Sequence, residues 1–280
     1  MAPLQYDSTT QYIAVIKQPL WKLARVKRWF GNVTFHLGGV ALLVRDLARA
    51  SSGKWETAEI LRQMDALGVG SISITNLTAL FTGMVLALQF SYALSQFGGK
   101  FFVGRVVALA ITRELGPTLT ALMVAARVGA GITAELGTMA VTEQVDALRA
   151  LGASPARKLV LPRVLAVMFM LPVLTLLADF IGVLGGLFLA VVELKIGAAF
   201  YISTVQQATH VNDVLHGLFK TPFFGFEIAI IGCYNGLNAT GGADGVGRAT
   251  TIAVVIASIV VLMSDFFLTK IFMLLPLGLG

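Results

Sequence analysis

Charged residues are scarce in this sequence of 280 residues. Asp, Glu, Lys and Arg together make up 13% of it and hydrophobic residues make up 56%, whereas soluble domains contain about 25% charged and about 45–50% apolar residues. So little charge could not cover the surface of a soluble globule of this size. The composition therefore excludes a water-soluble enzyme and indicates an integral membrane protein.

Thiols and nucleotide-binding loops are also lacking. A single cysteine, Cys233, excludes an internal disulfide and a metal site with several thiolate ligands. No phosphate-binding loop of the form Gly-x4-Gly-Lys-Ser/Thr occurs, because the nearest match, at residues 51–55, has tryptophan at the hydroxyl position and no glycine at the required distance. We therefore expect no catalytic site, metal or cofactor on this chain, and expect ATP to be hydrolysed by a separate chain.

Long apolar runs dominate what is present. A helix rises about 1.5 Å per residue and the core of a bilayer is about 30 Å thick, so a span needs roughly 20 mostly apolar residues. Four stretches reach that length, and a fifth, shorter stretch carries Glu227. The predicted spans cover residues 69–94, 103–136, 164–192, 219–237 and 252–275. The predicted fold class is therefore an all-α integral membrane protein, with a transmembrane domain over residues 69–280.

Basic residues indicate the orientation. Most of the 21 Lys and Arg residues precede the first predicted span or lie in the loops after the second and fourth spans, and cytoplasmic loops collect such residues. The other side carries only Lys100, Arg105, Lys195 and Lys220, in loops or near the ends of spans. The sequence therefore predicts a cytoplasmic amino terminus and a periplasmic carboxyl terminus. The net charge of +6 is then a topological signal and not a sign of nucleic-acid binding.

Two short helices are predicted within residues 30–68, between a polar, basic segment at residues 1–29 and the first span. In the first helix, apolar residues recur at spacings of three and four and form one stripe. They are Phe30, Val33, Leu37, Val40, Val44 and Leu47. Such a helix lies in the membrane interface or packs on the protein's own spans, and the two placements are compatible. The second helix, at residues 55–67, leads into the first span.

Ionisable residues at membrane depth are functional candidates, because they are costly unless paired or hydrated. The second apolar segment carries Arg113 and Glu114 just before Gly116 and Pro117. At about 51 Å of helix, this segment either tilts and protrudes or breaks at the proline. Arg113 and Glu114 predict a polar spot for the head group of an amphiphile; the alternative is that they form ion pairs that only fix helix packing. A structural role is expected for Asp179, Glu193, Glu227 and Asp265.

The loop between the second and third spans predicts a short helix. Thr142 is expected to cap it, Leu148 and Leu151 give it an apolar face, and Gly152 ends it. A helix held between two spans can receive a mechanical push from a soluble partner. The run Asp-Ala-Leu at residues 146–148, followed by Gly152, resembles the coupling loop of ABC transporter permeases.

Four longer stretches, in the same order along the chain, resemble the MlaE/YrbE permease family. They are FTGMVLALQ at residues 81–89, RELGPTLTALMVAARVGAGITAELGTMAVTEQVDALRALG at 113–152, LPRVLAVMFMLPVLTLLADFIGVLGG at 161–186 and GVGRATTIAVV at 245–255. Members of this family are the membrane subunits of ABC transporters that work with MCE proteins on phospholipids. The resemblance implies a permease that moves phospholipids between a bacterial inner membrane and a periplasmic MCE-domain protein, in support of outer-membrane lipid asymmetry.

The resemblance also implies which residues act. Family permeases are homodimers that bind phospholipid in an outward-facing cavity at the dimer interface, near the stretch that here contains Arg113, Glu114, Leu115 and Pro117. An apolar wall for the acyl chains would consist of Phe81, Met84, Val85, Leu88 and Gln89. Docking of a cytoplasmic ATPase subunit would fall on Glu143, Gln144, Asp146, Ala147, Leu148 and Gly152. Residues 1–17 are assigned no role.

Two other classes of protein remain as alternatives. An ion-coupled secondary transporter would favour repeated halves with broken helices, but no repeat is visible and the predicted number of spans is odd. An intramembrane enzyme acting on lipids could use His210, Asp213 and His216 as an acid–base cluster near Ser203. No Gly-x-Ser-x-Gly stretch and no metal-ligand spacing accompanies these residues.

Overall fold

The computed structural model describes residues 34–51 and 56–274, which form helices and turns and contain no strand. The chain divides into two compact units, Met1–Arg45 and Asp46–Gly280. A helix covers residues 34–51 and includes Leu37, Val40, Val44 and Leu47 of the predicted stripe. Phe30 and Val33 lie outside the described residues. The placement of this helix in the membrane interface stays a prediction.

Five helices of the described chain are long and apolar enough to cross a membrane, which confirms the predicted number. Span 1 is Thr57–Ser95, span 2 is Val103–Val141, span 3 is Ala156–Val192, span 4 is Val211–Leu237 and span 5 is Gly242–Leu274. Spans 1, 3, 4 and 5 begin earlier than predicted, because hydropathy detects only the apolar part of a helix whereas backbone hydrogen bonding continues through its polar end. The helix predicted at residues 55–67 is thus the first part of span 1.

Close helix packing surrounds span 3, which lies against spans 1 and 4, while span 5 packs on spans 2 and 4. Glycines bring the backbones of spans 1 and 3 into contact, since a Cβ atom on Gly83 would overlap the carbonyl oxygen of Gly182. Small residues permit such contacts between membrane helices. Spans 1 and 5 expose many large apolar side chains, so their outer faces are available to lipid or to another chain.

Span 2 is one continuous helix, so the predicted alternative of a break at Pro117 is wrong. The helix widens into π-turns at Ile111–Leu115 and Ala125–Gly129, and an α-helical segment, Gly116–Val124, follows the first of them. A π-turn inserts one residue without ending the helix, which accommodates a proline that has no N–H to donate. The carbonyl oxygen of Arg113 accepts a hydrogen bond from Nζ of Lys220 instead, at 3.2 Å.

The short helix predicted between spans 2 and 3 is present at Gln144–Ala150; we call it the coupling helix. Thr142 does not cap it, contrary to the prediction, because its hydroxyl donates to the carbonyl of Thr138 at 2.7 Å at the end of span 2. Glu143 precedes the helix with a left-handed backbone, φ 61°. Gly152 follows it as predicted, at φ 74°, a conformation that glycine adopts without strain.

Candidate functional site

Five charged residues meet between spans 2, 4 and 5, and we call them the charge cluster: Arg113, Glu114, Asp213, Lys220 and Asp265. Arg113, Lys220 and Asp265 each lie roughly ten residues, or about 15 Å, from an end of their helix. The cluster therefore lies within the bundle. Asp213 was predicted in a loop and Lys220 at the edge of the fourth span; the first placement is wrong, because span 4 begins at Val211 and includes both residues.

Lys220 is the centre of the cluster. Its side chain is completely buried, and its Nζ donates to Oε2 of Glu114 at 2.7 Å and to Oδ1 of Asp265 at 3.1 Å. The hydroxyl of Thr269 accepts a third bond from Nζ, at 2.7 Å. A charge removed from water is tolerated only when it is paired and its protons are satisfied, and these contacts with spans 2 and 5 meet that requirement.

Arg113 forms the second ion pair of the cluster. Its Nε donates to Oδ1 of Asp213 at 2.6 Å, and the Asp213 side chain is 3% exposed. The other oxygen of Asp213 accepts the backbone N–H of His210 at 2.8 Å, which caps the start of span 4. The Arg113 side chain is 44% exposed, so the guanidinium, which carries five N–H donors, retains donors for a further acceptor.

Both of the roles proposed for Arg113 and Glu114 are compatible with this geometry. The two side chains do form ion pairs between spans, and each is also partly open, since Glu114 is 39% exposed. The sequence analysis did not identify Lys220, Asp213 or Thr269 as part of this site. A signal was available for Asp213, because a residue three positions after His210 can complete a capping box that starts a helix.

The residues of the enzyme alternative do not form an acid–base cluster. Asp213 is engaged by Arg113 and by the backbone of His210. The ring of His216 packs on Phe272, with centroids 5.1 Å apart. Ser203 lies on a separate helix, Ala198–Ala208, and donates to the carbonyl of Phe200 at 2.8 Å.

Three consecutive residues of span 2 face different neighbours. Arg113 and Glu114 face spans 4 and 5, whereas Leu115 faces span 1 across a narrow cleft. On span 1, the cleft is lined by Thr75, Thr78, Ala79 and Thr82. Pro117 is buried next to Gly217 of span 4.

The predicted apolar wall lies farther along span 1, outside the lining of this cleft. Phe81, Val85, Leu88 and Gln89 are exposed, and Met84 is half-buried. Four of these five side chains are therefore free to contact lipid or a second protein chain. The proposed lipid role of these residues stays a prediction.

The coupling helix presents most of its predicted residues outward. Val145 is 3% exposed and anchors the helix, while the exposed residues are Glu143, Gln144, Asp146, Ala147 and Gly152, with Leu148 half-buried. Leu151, just after the helix, is 82% exposed. The loop therefore offers an apolar side chain among charges, a surface suited to a soluble partner.

Two ion pairs hold the base of this loop. Arg163, predicted to lie in the loop, is buried in span 3 and its Nη2 is 2.8 Å from Oε1 of Glu135 on span 2. Lys158, at the start of span 3, is ion-paired with Glu56 next to span 1. The base of the coupling helix is thus connected to spans 1, 2 and 3.

Among the described residues, no group of three or more His, Cys, Asp or Glu side chains is arranged to hold a metal ion.

Comparisons with known proteins agree with one another. The family model for permease MlaE matches residues 60–271. A "Probable ABC transporter permease protein" of Rickettsia conorii is 46% identical over 213 residues, which cover 76% of this chain and 82% of the relative. A protein of Synechocystis with the same descriptive name is 44% identical over 217 residues, or 78% of this chain and 82% of the relative. The chloroplastic protein TRIGALACTOSYLDIACYLGLYCEROL 1 of Arabidopsis thaliana is 37% identical over 224 residues, or 80% of this chain and 64% of the relative.

Proposed function

Because this chain belongs to the MlaE permease family, and is therefore the membrane-spanning permease subunit of an ABC transporter, we propose that its cargo is a phospholipid. We further propose that it works as a homodimer in a bacterial inner membrane. A cytoplasmic ATPase subunit would bind the coupling helices, and a periplasmic MCE-domain protein would exchange lipid with the permease.

The half-exposed Arg113 at membrane depth is the observation that carries this proposal. A phosphate group would accept charge-assisted hydrogen bonds from the guanidinium donors that Asp213 leaves open. Acyl chains would lie on the exposed apolar face of span 1, where they would pack against side chains as apolar as themselves. An Arabidopsis relative is named after a glycerolipid, which also supports a lipid cargo.

Reconstitution in vesicles with the ATPase that co-purifies with the chain tests the proposal. We expect Arg113→Gln to lower ATP-driven movement of a fluorescent phospholipid about tenfold or more, the loss expected for about 1.4 kcal/mol of binding free energy. Arg105→Gln is the matched control, because Arg105 is exposed on the same helix, nearer its end. This control variant should transport at the wild-type rate.

A double variant separates binding from folding. Arg113→Gln alone leaves the buried Asp213 carboxylate unpaired, so we would compare it with Arg113→Gln/Asp213→Asn, which removes both charges. Assembly of this double variant with the ATPase, together with weak transport, supports a role in lipid binding. Transport by the assembled double variant at the wild-type rate would rule that role out.

A further inference from the structure

Asp179 is a buried carboxyl group within span 3 that the charge cluster does not include. The residue is 6% exposed, and its Oδ1 atom is enclosed without a hydrogen-bond partner. One helical turn earlier, on the same face, the hydroxyl oxygen of Thr175 is also enclosed without a partner. Buried polar atoms are nearly always satisfied, so this pair requires an explanation.

The Asp179 carboxyl group points at Gly116 of span 2. A Cβ atom built on Gly116 would overlap Oδ1 of Asp179, and it would lie 2.9 Å from the carbonyl oxygen of Ile111. The carboxyl group therefore fills the space that glycine leaves, and two acceptor oxygens face that same space. The Ile111 carbonyl accepts the N–H of Gly116 in the π-turn and keeps a second lone pair.

Neighbouring charges do not neutralise Asp179. On span 2, Arg113 and Glu114 pair with Asp213 and Lys220 of span 4. His216 of span 4 packs on Phe272, and Glu227 accepts a hydrogen bond from Ser264. On span 1, no ionisable residue lies between Asp65 and Tyr92. An isolated carboxylate in such surroundings is strongly disfavoured, and the group takes up a proton instead.

We propose that Asp179 is a proton-binding site between spans 2 and 3. In the packed arrangement the carboxyl group is protonated and donates to the Ile111 carbonyl. A bare metal cation does not suit the space, because hard cations take about six or more oxygen ligands and the space is the size of a methyl group.

This site connects helix movement to pH. Separation of spans 2 and 3 at Gly116 would admit water, and the acid would then ionise and release its proton. The packed arrangement binds one proton more than the separated one, so low pH favours packing and high pH favours separation. Any step of a transport cycle that opens this contact would therefore release a proton.

Infrared spectroscopy of the purified chain in lipid nanodiscs tests the site, because a protonated carboxylic acid has a carbonyl stretch that a carboxylate lacks. The titration would run from about pH 5 to about pH 9, a range in which exposed aspartates are ionised. We expect a protonated-acid band that shifts when aspartate is labelled with ¹³C and that disappears in Asp179→Asn. Glu227→Gln is the matched control, and it should leave this band in place.

A second readout is thermal stability. The melting temperature of the wild-type chain should fall as pH rises and the band disappears. Asp179→Asn has the same shape and no titrating group, so its melting temperature should not show this pH-dependent fall. Labelling identifies the aspartate band in the wild-type chain even if the variant fails to fold. Absence of any aspartate-derived band over the whole range would overturn the proposal. The measurement needs neither ATPase nor cargo, so its failure would leave the phospholipid proposal intact.

Discussion

Lys220 is the residue on which the interior charges of spans 2, 4 and 5 converge. Burying an ion costs several kcal/mol unless partners compensate it, and Lys220 has two carboxylates, a hydroxyl and a carbonyl around its Nζ. Glu114 faces this amine and is also open to its surroundings. The same contacts therefore hold three helices together and keep the Glu114 side chain in a partly open position.

Loss of the Lys220 amine should be strongly destabilising. Lys220→Met leaves the carboxylates of Glu114 and Asp265 without their shared cation, so we expect a loss of about 3–5 kcal/mol in the free energy of unfolding. Thermal unfolding in detergent measures it. Lys270→Met, at an exposed position of span 5, is the control and should melt like the wild type.

Neutralising the carboxylates checks the cause of that loss. The triple variant Lys220→Met/Glu114→Gln/Asp265→Asn has no charge left to compensate, and it should recover most of the stability. A single variant Lys220→Met that melts at the wild-type temperature would contradict the role assigned to the amine.

At the scale of single helices, the contacts in this bundle depend on glycine. Spans 1 and 3 touch through backbone at Gly83 and Gly182, and a Cβ on Gly185 would overlap the carbonyl oxygen of Leu80. Lipid tails are as apolar as leucine, so close packing, and not the hydrophobic effect, holds such helices together. The contact is therefore sensitive to a single added methyl group.

Gly83→Ala should separate span 1 from span 3. The added Cβ overlaps the Gly182 carbonyl, a backbone atom that cannot rotate away, so we expect a loss of about 1–3 kcal/mol. Gly131→Ala is the matched control, because nothing lies within 4 Å of the Cβ it would add and alanine favours a helix by about 1 kcal/mol. The melting temperatures of both variants measure the difference. Equal melting of Gly83→Ala and the wild type would show that the two helices are not in close contact.

At the scale of the whole molecule, the charge cluster and the coupling helix belong to one chain. The described residues place the coupling helix between the end of span 2 and the start of span 3, and ion pairs join its base to spans 1, 2 and 3. A force applied to this helix would therefore reach several spans together, as the proposed coupling to an ATPase requires.

Lipid movement should therefore depend on the ATPase bound at the coupling helix. The purified chain alone should hydrolyse no ATP, and ATP-driven movement should appear when the ATPase is added. Leu151→Ser should weaken retention of the ATPase, because it removes an apolar side chain that is 82% exposed and available to bury in an interface. ATP hydrolysis and ATPase co-purification are the measurements.

A control for this prediction is Leu61→Ser, which alters a leucine that is 64% exposed on span 1 and does not belong to the coupling helix. It should retain the ATPase. Lipid movement by the lone chain under an ion gradient would instead indicate a secondary transporter.

The sequence by itself determined the class of protein, the number of spans and the existence of the coupling helix. These properties follow from local patterns: a span is a run of apolar residues long enough for a bilayer, and Gly152 stops a helix because it adopts a positive φ. The sequence alone also indicated the family, and the match to the family model for permease MlaE confirmed it.

Tertiary structure alone decided which charges meet. Lys220 and Glu114 are 106 residues apart in the chain. A local sequence pattern carries no information about contacts between residues so far apart. Span 4 begins before its apolar run, so Asp213 was predicted in a loop, although helix packing buries it together with Lys220. Asp179 was expected to have an ordinary structural role, and only the packing of span 3 on Gly116 reveals a carboxyl group that must carry a proton. Burial and pairing are properties of the assembled bundle, because water is excluded only once the helices have come together.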